Sequence, residues 1–262
     1  MDIRDAVRQG LTSSPRYLPV WFRYDKTGSI LNDRCLTDNK YYYFHKSELD
    51  IIQRYIDEMV CQVKFPCSIV DLGSGNAIKT RIFIDALLKY QEKLKYIPVD
   101  ISEADDRLLI TLDITQNEEE ILNAYLDPTG ICGKLYLNAL HRLNREFQAN
   151  FKIDNFKLEA SFSRDLSAKG SSAVIMRVRS TCKHEVCIPG LNLTLLLEEG
   201  EYINLFEGEG VSHKYTLDQI RGLAEDGQLH IEKIWTDSDN HVACVMFSKL
   251  NNLNTQIDRK PL

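Results

Sequence analysis

Residues 68–100, SIVDLGSGNAIKTRIFIDALLKYQEKLKYIPVD, decide the fold. Ile69, Val70 and Leu72 form a short apolar run that stops at Gly73-Ser74-Gly75. An amphipathic helix is predicted from about Lys79 to Tyr90, and Tyr96-Ile97-Pro98-Val99 then leads to Asp100. This is a strand, a glycine turn, a helix and a second strand that ends in an acid. Two glycines between strand and helix let the backbone approach a ligand closely. A carboxylate at the end of the second strand can accept both ribose hydroxyls of an adenosine. The turn lacks the terminal Lys-Ser/Thr of a phosphate-binding loop. It also departs from the three-glycine dinucleotide fingerprint, whose third glycine position is Ile78 here. A tight turn in any βαβ unit gives the same local pattern, so the motif by itself leaves the ligand open.

Working outward, Leu49, Ile52, Tyr55, Ile56 and Met59 have helical spacing within a helix predicted from about Lys46 to Val60. Upstream of it, Lys26-Thr27-Gly28 reads as a turn, and Tyr41-Tyr42-Tyr43 as an aromatic cluster leading into that helix. Arg107–Asp113 is a strand, apolar in its middle as central parallel strands are. Helices are predicted over Glu118–Tyr125 and Lys134–Phe147. From about Asn155 to Glu207 the pattern changes to strand-like alternation. A helix at Leu217–Asp226 and two strands, His230–Thr236 and His241–Ser248, close the chain. The expectation is a doubly wound α/β core interrupted by a β-rich insertion, with the first 60 residues packing with the insertion. The ranges are 1–60 for the N-terminal segment and 61–124 for the core. They are 125–208 for an inserted α+β substrate domain and 209–262 for the return to the core. A ligand is expected at the carboxyl ends of the core strands, facing the second domain.

Composition bounds the partners. The chain has 262 residues, 44% of them hydrophobic, and a formal net charge of −6. That charge gives no bulk electrostatic reason to expect nucleic acid. No apolar run approaches the length of a membrane span, and the charged N-terminus MDIRDAVRQGL carries no apolar signal region. A soluble, cytoplasmic protein is expected, with a monomer favoured. Seven cysteines at wide spacing point to reduced thiols rather than to a disulfide framework or a zinc site. Six scattered histidines give no HxxxH or HExxH pair, so no metal is expected.

Several separated segments, in order, resemble one family, the histidine-specific methyltransferases that use S-adenosylmethionine. Its relatives include the methyltransferase domain of ovothiol synthases and the dimethylallyltryptophan N-methyltransferases. The matching pieces are Phe22-Arg23-Tyr24-Asp25 with Gly28-Ser29, then Tyr42-Tyr43 with Glu48, and then Asp71–Gly75 with Lys79-Thr80-Arg81. They continue with Pro98–Ser102, Leu143–Glu146 and Met176–Arg179, and end with Ser212-His213-Lys214-Tyr215 and Trp235-Thr236-Asp237. The resemblance implies a Rossmann-like class I methyltransferase core, a second α+β substrate domain and S-adenosyl-L-methionine as cofactor. The substrate it implies is a small amino acid, histidine-like or tryptophan-like, methylated on its α-amine. It assigns cofactor contacts to Gly73, Ser74, Gly75, Lys79 and Asp100. Tyr24 and Tyr42 fall near the reacting centre. Tyr42, Tyr125, Met176 and Ser212 fall around the substrate. Read from the residues alone, Met176 in an alternating strand is a core residue and Lys79 a surface lysine in a first helical turn.

The chain departs from the family pattern twice. The family's histidine binders carry a glutamate two residues before the serine of a Ser-x-Lys-aromatic motif. Here that position is Gly210, and Glu209 is displaced by one, which in a strand turns a side chain to the opposite face. Second, only six residues separate Asp100 from the strand at Arg107. A parallel crossover needs a dozen or more. The family's next two strands, with their acidic motif and Gly-Asn motif, are not found. With strands of ~5–6 residues and crossovers of ~10–12, the missing stretch is on the order of 60 residues. An internally truncated core is expected, with exposed apolar surface on its sheet and low thermal stability. The alternative to an active enzyme is a non-catalytic remnant of the family. A nucleotide-dependent oxidoreductase is disfavoured by Ile78 and by the later matching segments.

Overall fold

The computed structural model describes residues 2–71, 77–98, 107–165, 167 and 170–249. The chain is a mixed α/β fold that divides into two compact units. One comprises residues 1–45 and 115–216, the other residues 46–114 and 217–262.

The first unit begins with helix α1 (Ile3–Thr12), whose Val7 and Leu11 are fully buried. Asp2 caps it by accepting from the Arg4 N–H. After a 3-10 turn at Val20–Arg23 comes α2 (Lys26–Thr37). The residues read as a turn, Lys26-Thr27-Gly28, are instead the first turn of this helix. Asp25 supplies the N-cap, accepting from Gly28 N at 2.7 Å. Gly28 has no alternative here, because a Cβ would lie 1.7 Å from the Arg23 carbonyl oxygen. Helices α5 (Glu118–Leu126) and α6 (Ile131–Phe147) follow in the chain after the second unit's first part. Between them, Asp127 takes the exposed donors at the start of α6. Its carboxylate accepts from Ile131 N (2.8 Å) and Cys132 N (3.1 Å), and from both the backbone and the hydroxyl of Thr129.

The β-rich part of this unit is built around β5 (Ser172–Ser180). It pairs antiparallel with β4 (Phe156–Ser163), in register Phe156↔Ser180 to Ser163↔Ala173. Its other edge pairs with β8 (Tyr202–Asn204) and with β9 (Ser212–Lys214). A separate hairpin joins β6 (His184–Ile188) to β7 (Leu193–Leu197). Val174, Met176 and Val178 alternate along β5 and are fully buried against Leu140 and Leu143 of α6 in one core.

The second unit contains α3 (Phe44–Cys61), β1 (Ser68–Asp71), α4 (Ile78–Leu87) and β2 (Lys95–Pro98). It continues with β3 (Arg107–Asp113), α7 (Leu217–Asp226), β10 (Leu229–Thr236) and β11 (Val242–Lys249). β1 and β2 are parallel, in register Ser68↔Lys95 to Asp71↔Pro98, as a strand–helix–strand unit requires. The helix between them stops at Leu87, short of the expected Tyr90. β3 was expected to be a parallel central strand. Among the described residues it pairs only with β11, and antiparallel, giving a three-stranded sheet of order β10-β11-β3. Its apolar run has a different origin: alternate residues Leu108 and Ile110 are 39% and 36% exposed. Residues 242–247 of β11, at the middle of that sheet, are all buried. Among the described residues no helix is long and apolar enough to cross a membrane.

Asp127 allows a test of this architecture. Burial pushes its pKa up, but the Thr129 hydroxyl and the N–H groups of Cys132, Thr129 and Ile131 outweigh burial and hold the carboxyl below its ordinary value. A carboxyl depressed in the folded state stabilises fully above the unfolded value of about 3.9, and that stability is lost as pH falls through the depressed value. Asp127→Asn is therefore expected to flatten the acid limb of stability against pH. Asp127→Ala should cost about 1–3 kcal/mol at neutral pH by urea denaturation. An unchanged acid limb in the Asn variant would remove Asp127 from this role.

Candidate functional site

The first unit contains a cavity of about 140 Å³. At ~30 Å³ per water molecule this is room for a small polar solute. Its wall comprises Arg23, Tyr24, Asn32, Cys35, Leu36, Tyr42, Ala124, Tyr125, Cys132, Leu135, Tyr136, Val211 and Ser212. The wall brings together four of the residues singled out in the sequence: Tyr24, Tyr42, Tyr125 and Ser212. They come from the 3-10 turn before α2, the loop before α3, α5 and β9. Tyr42 and Tyr125 meet edge to face, with ring centroids 6.4 Å apart.

Met176 is not in that wall. It is fully buried in the core on β5, in the row with Val174 and Val178, where alternation alone puts it. Glu209 is exposed and also absent from the wall. Gly210 has no space for a side chain: a Cβ would stand 2.7 Å from the Val174 carbonyl oxygen and 2.8 Å from the Ala173 Cβ. Among the described residues, then, no carboxylate lines the cavity.

Two cations that the sequence reading quoted without a role stand at this site. Lys214 is 1% exposed, and its ammonium donates to Ser212 Oγ (2.8 Å) and to Tyr125 Oη (3.2 Å). An ammonium only donates, so both oxygens accept from it. Arg23 is 6% exposed. Its guanidinium lies over the rings of Tyr24 and Tyr136, 4.8 Å from each centroid. Nη1 donates to the Leu205 carbonyl (3.4 Å) and Nη2 to Tyr24 Oη (3.1 Å). The Tyr136 hydroxyl keeps its proton, because burial raises its pKa well above the ordinary value. In the sequence Arg23 stands inside the matching segment Phe22-Arg23-Tyr24-Asp25, which attaches no role to it.

The thiols of Cys35 and Cys132 also face the cavity. A hydrogen bond to Cys132, reinforced by burial, raises the Cys35 pKa, and the same bond lowers that of Cys132. Asn39 Nδ2 donates to Cys132 Sγ at 3.3 Å and to the Ala124 carbonyl at 3.1 Å.

In the second unit, Lys79 sits in the first turn of α4 and its ammonium donates to Glu48 Oε2 at 2.7 Å. Glu48 Oε1 accepts from the Thr111 hydroxyl at 2.6 Å. Asp71, at the end of β1, accepts from Thr80 and from the Tyr96 hydroxyl. Gly73, Ser74, Gly75 and Asp100 lie outside the described residues. Asp237, Asp239 and His241 bring three metal-ligand atoms within 4.8 Å at the β10–β11 turn. There the Asp237 carboxylate accepts from the N–H groups of His241 and Val242 and closes the turn.

With this geometry in view, comparison with known proteins is decisive on ancestry. The chain matches a family described as histidine-specific methyltransferase, SAM-dependent, over residues 3–105 and 102–249. The chain belongs to this family. As a member of the histidine-specific methyltransferases, it has S-adenosyl-L-methionine as its expected cofactor. It is similar to the histidine N-alpha-methyltransferase of Mycobacterium tuberculosis, at 23% identity over 303 positions covering 90% of this chain and 91% of the relative. It is similar also to ergothioneine biosynthesis protein 1 of Schizosaccharomyces pombe, at 30% identity covering 58% of this chain and 21% of that protein. The 4-dimethylallyltryptophan N-methyltransferase easF of Claviceps fusiformis is 32% identical over 44% of this chain and 30% of its own length. An alignment of 303 positions takes in 90% of the 262 residues of this methyltransferase-family chain, so about 67 positions face a gap in it.

The crowding at Gly210 predicts a cost for any side chain there. Gly210→Ala is expected to lose about 1–3 kcal/mol by chemical denaturation, the range of overpacking. A neutral result would mean that the segment before β9 can shift away from β5.

Proposed function

We propose that this chain methylates the α-amine of a small amino acid with S-adenosyl-L-methionine, and that a tryptophan-like side chain suits it better than a histidine-like one. The observation that carries the reading is the cavity wall: three phenols and a serine at the positions the family gives to the reacting centre and the substrate, with no carboxylate among the described lining residues. An imidazole is best held by a group that accepts its N–H or pairs with its charge. Among the described lining residues no carboxylate offers that charge pairing, since Gly210 leaves no space and Glu209 is exposed. Aromatic walls suit an indole.

S-adenosyl-L-methionine supplies an electrophilic methyl group when bound. This chain's residues position the nucleophile and control its proton. An ammonium has no lone pair, so the amine must be deprotonated before each transfer. Tyr24 and Tyr42 orient it through their phenol oxygens, directly or through water. Buried positive charge at Arg23 and Lys214 lowers the pKa of a nearby amine, which favours the neutral form. For the cofactor, β1 and β2 end side by side at Asp71↔Pro98, and Gly73 and Asp100 each follow two residues later in sequence. That register supports a shared cofactor role for the glycine turn and Asp100. Lys79 takes part through Glu48, with which it is paired.

We also infer that the core is Rossmann-like and shortened between Asp100 and Arg107. Three observations support this. The family match comes in two stretches that meet at residues 102–105. The relatives' alignment requires gaps in this chain. The described strands of the second unit form two sheets, β1-β2 and β10-β11-β3, rather than one. Weak cofactor binding is the consequence.

Calorimetric titration with S-adenosylmethionine and S-adenosylhomocysteine tests the reading, followed by mass spectrometry of tryptophan and histidine incubations. Binding that is at least about tenfold weaker in Asp100→Ala, the loss of one charge-assisted contact, is expected. A methylated product is expected with tryptophan before histidine. A folded, monodisperse chain that binds neither ligand and yields no product would overturn the reading.

A further inference from the structure

We infer that Arg23 is the anchor for the substrate's carboxylate, so that the cavity selects amino acids over the corresponding amines. This rests on the amino-acid reading above and names the group that recognises the acid.

A guanidinium carries five donors and cannot be deprotonated in a protein. Arg23 is more than nine-tenths buried, and two of its donors are engaged, by the Leu205 carbonyl and Tyr24 Oη. Its Nε is buried without a hydrogen-bond partner. Among the described residues no carboxylate lies within ion-pair distance of it, and none lines the cavity. The nearest acid in sequence, Asp25, is engaged by Gly28, Asn138 and Arg145. Two aromatic faces offset part of the desolvation cost but leave in-plane donors unused. Buried charges in folded proteins are paired. Among the described residues the chain brings a cation to a cavity wall and supplies no anion, so a ligand anion completes the pair.

The ligand's chemistry follows from the wall. A carboxylate matches the planar fork of a guanidinium, which can hold it through two parallel bonds. Ser212 already accepts from Lys214, so its O–H group adds a donor suited to the same kind of acceptor.

The test is calorimetric titration of the full chain with two matched pairs, L-tryptophan against tryptamine and L-histidine against histamine. In the wild type at least one acid is expected to bind about thirtyfold or more tightly than its amine, the effect of truncating one partner of a buried charge pair. Arg23→Gln should bring that ratio close to one. Arg23→Lys, which keeps the charge but loses the fork, should fall between. Equal binding of acid and amine by the wild type overturns the inference. So does an intact ratio in either variant, or no binding of either acid. If Arg23→Gln does not unfold cooperatively, the wild-type and Arg23→Lys ratios decide. Methyl transfer, measured separately, keeps the two readings apart. Transfer to acid and amine alike leaves the methyltransferase standing and removes the anchor. A strong acid preference without transfer does the reverse.

Discussion

Asp25 is the residue on which the cavity depends. Its carboxylate caps α2 through Gly28 and accepts from Asn138 Nδ2 at 2.8 Å and from Arg145, both on α6. Burial raises its pKa, but those donors and the neighbouring Arg145 and Arg142 charges hold it below the ordinary value. The same Asn138 amide donates to the Arg23 carbonyl at 2.9 Å, and Arg142 donates to the Phe22 carbonyl at 2.8 Å. Residues 22, 23 and 25 are thus tied to one helix. The side chains of Arg23 and Tyr24 line the cavity because their backbone has no freedom to leave it.

That arrangement puts stability and function in opposition. A buried guanidinium held by two neutral acceptors and two rings costs more in desolvation than those contacts return. A protein selected for stability alone would put an apolar side chain at residue 23. Such a local violation of good packing marks a site where ligand recognition sets the sequence.

Elements whose signal is local were legible. The helix at Leu217–Asp226 and the strand at Arg107–Asp113 have the predicted bounds, because their periodicity is strong and their ends are marked. The beginning of α2 was misread: Lys26-Thr27-Gly28 has turn composition, and only the capping carboxylate of Asp25 reveals a helix. The direction of β3 was not legible, since an apolar run shows burial but not which strand lies alongside. At the site, Tyr24, Tyr42, Tyr125 and Ser212 could be found from their places in a family pattern. Arg23 lies in the same pattern, but its burial was not legible there, because it is supplied by Tyr136 and Leu205, more than a hundred residues away. The absence of a partner leaves no mark in a sequence.

The crowding at Gly210 bears on how this site can change over time. A glutamate there costs stability before it can serve a substrate, because the first atom of the new side chain meets β5. Ala173 would have to shrink, or the segment before β9 move outward, as an earlier step with no benefit of its own. The order of changes therefore matters more than their number. A lineage that has settled on glycine is held there by a neighbouring backbone, whatever side chain its substrate would reward.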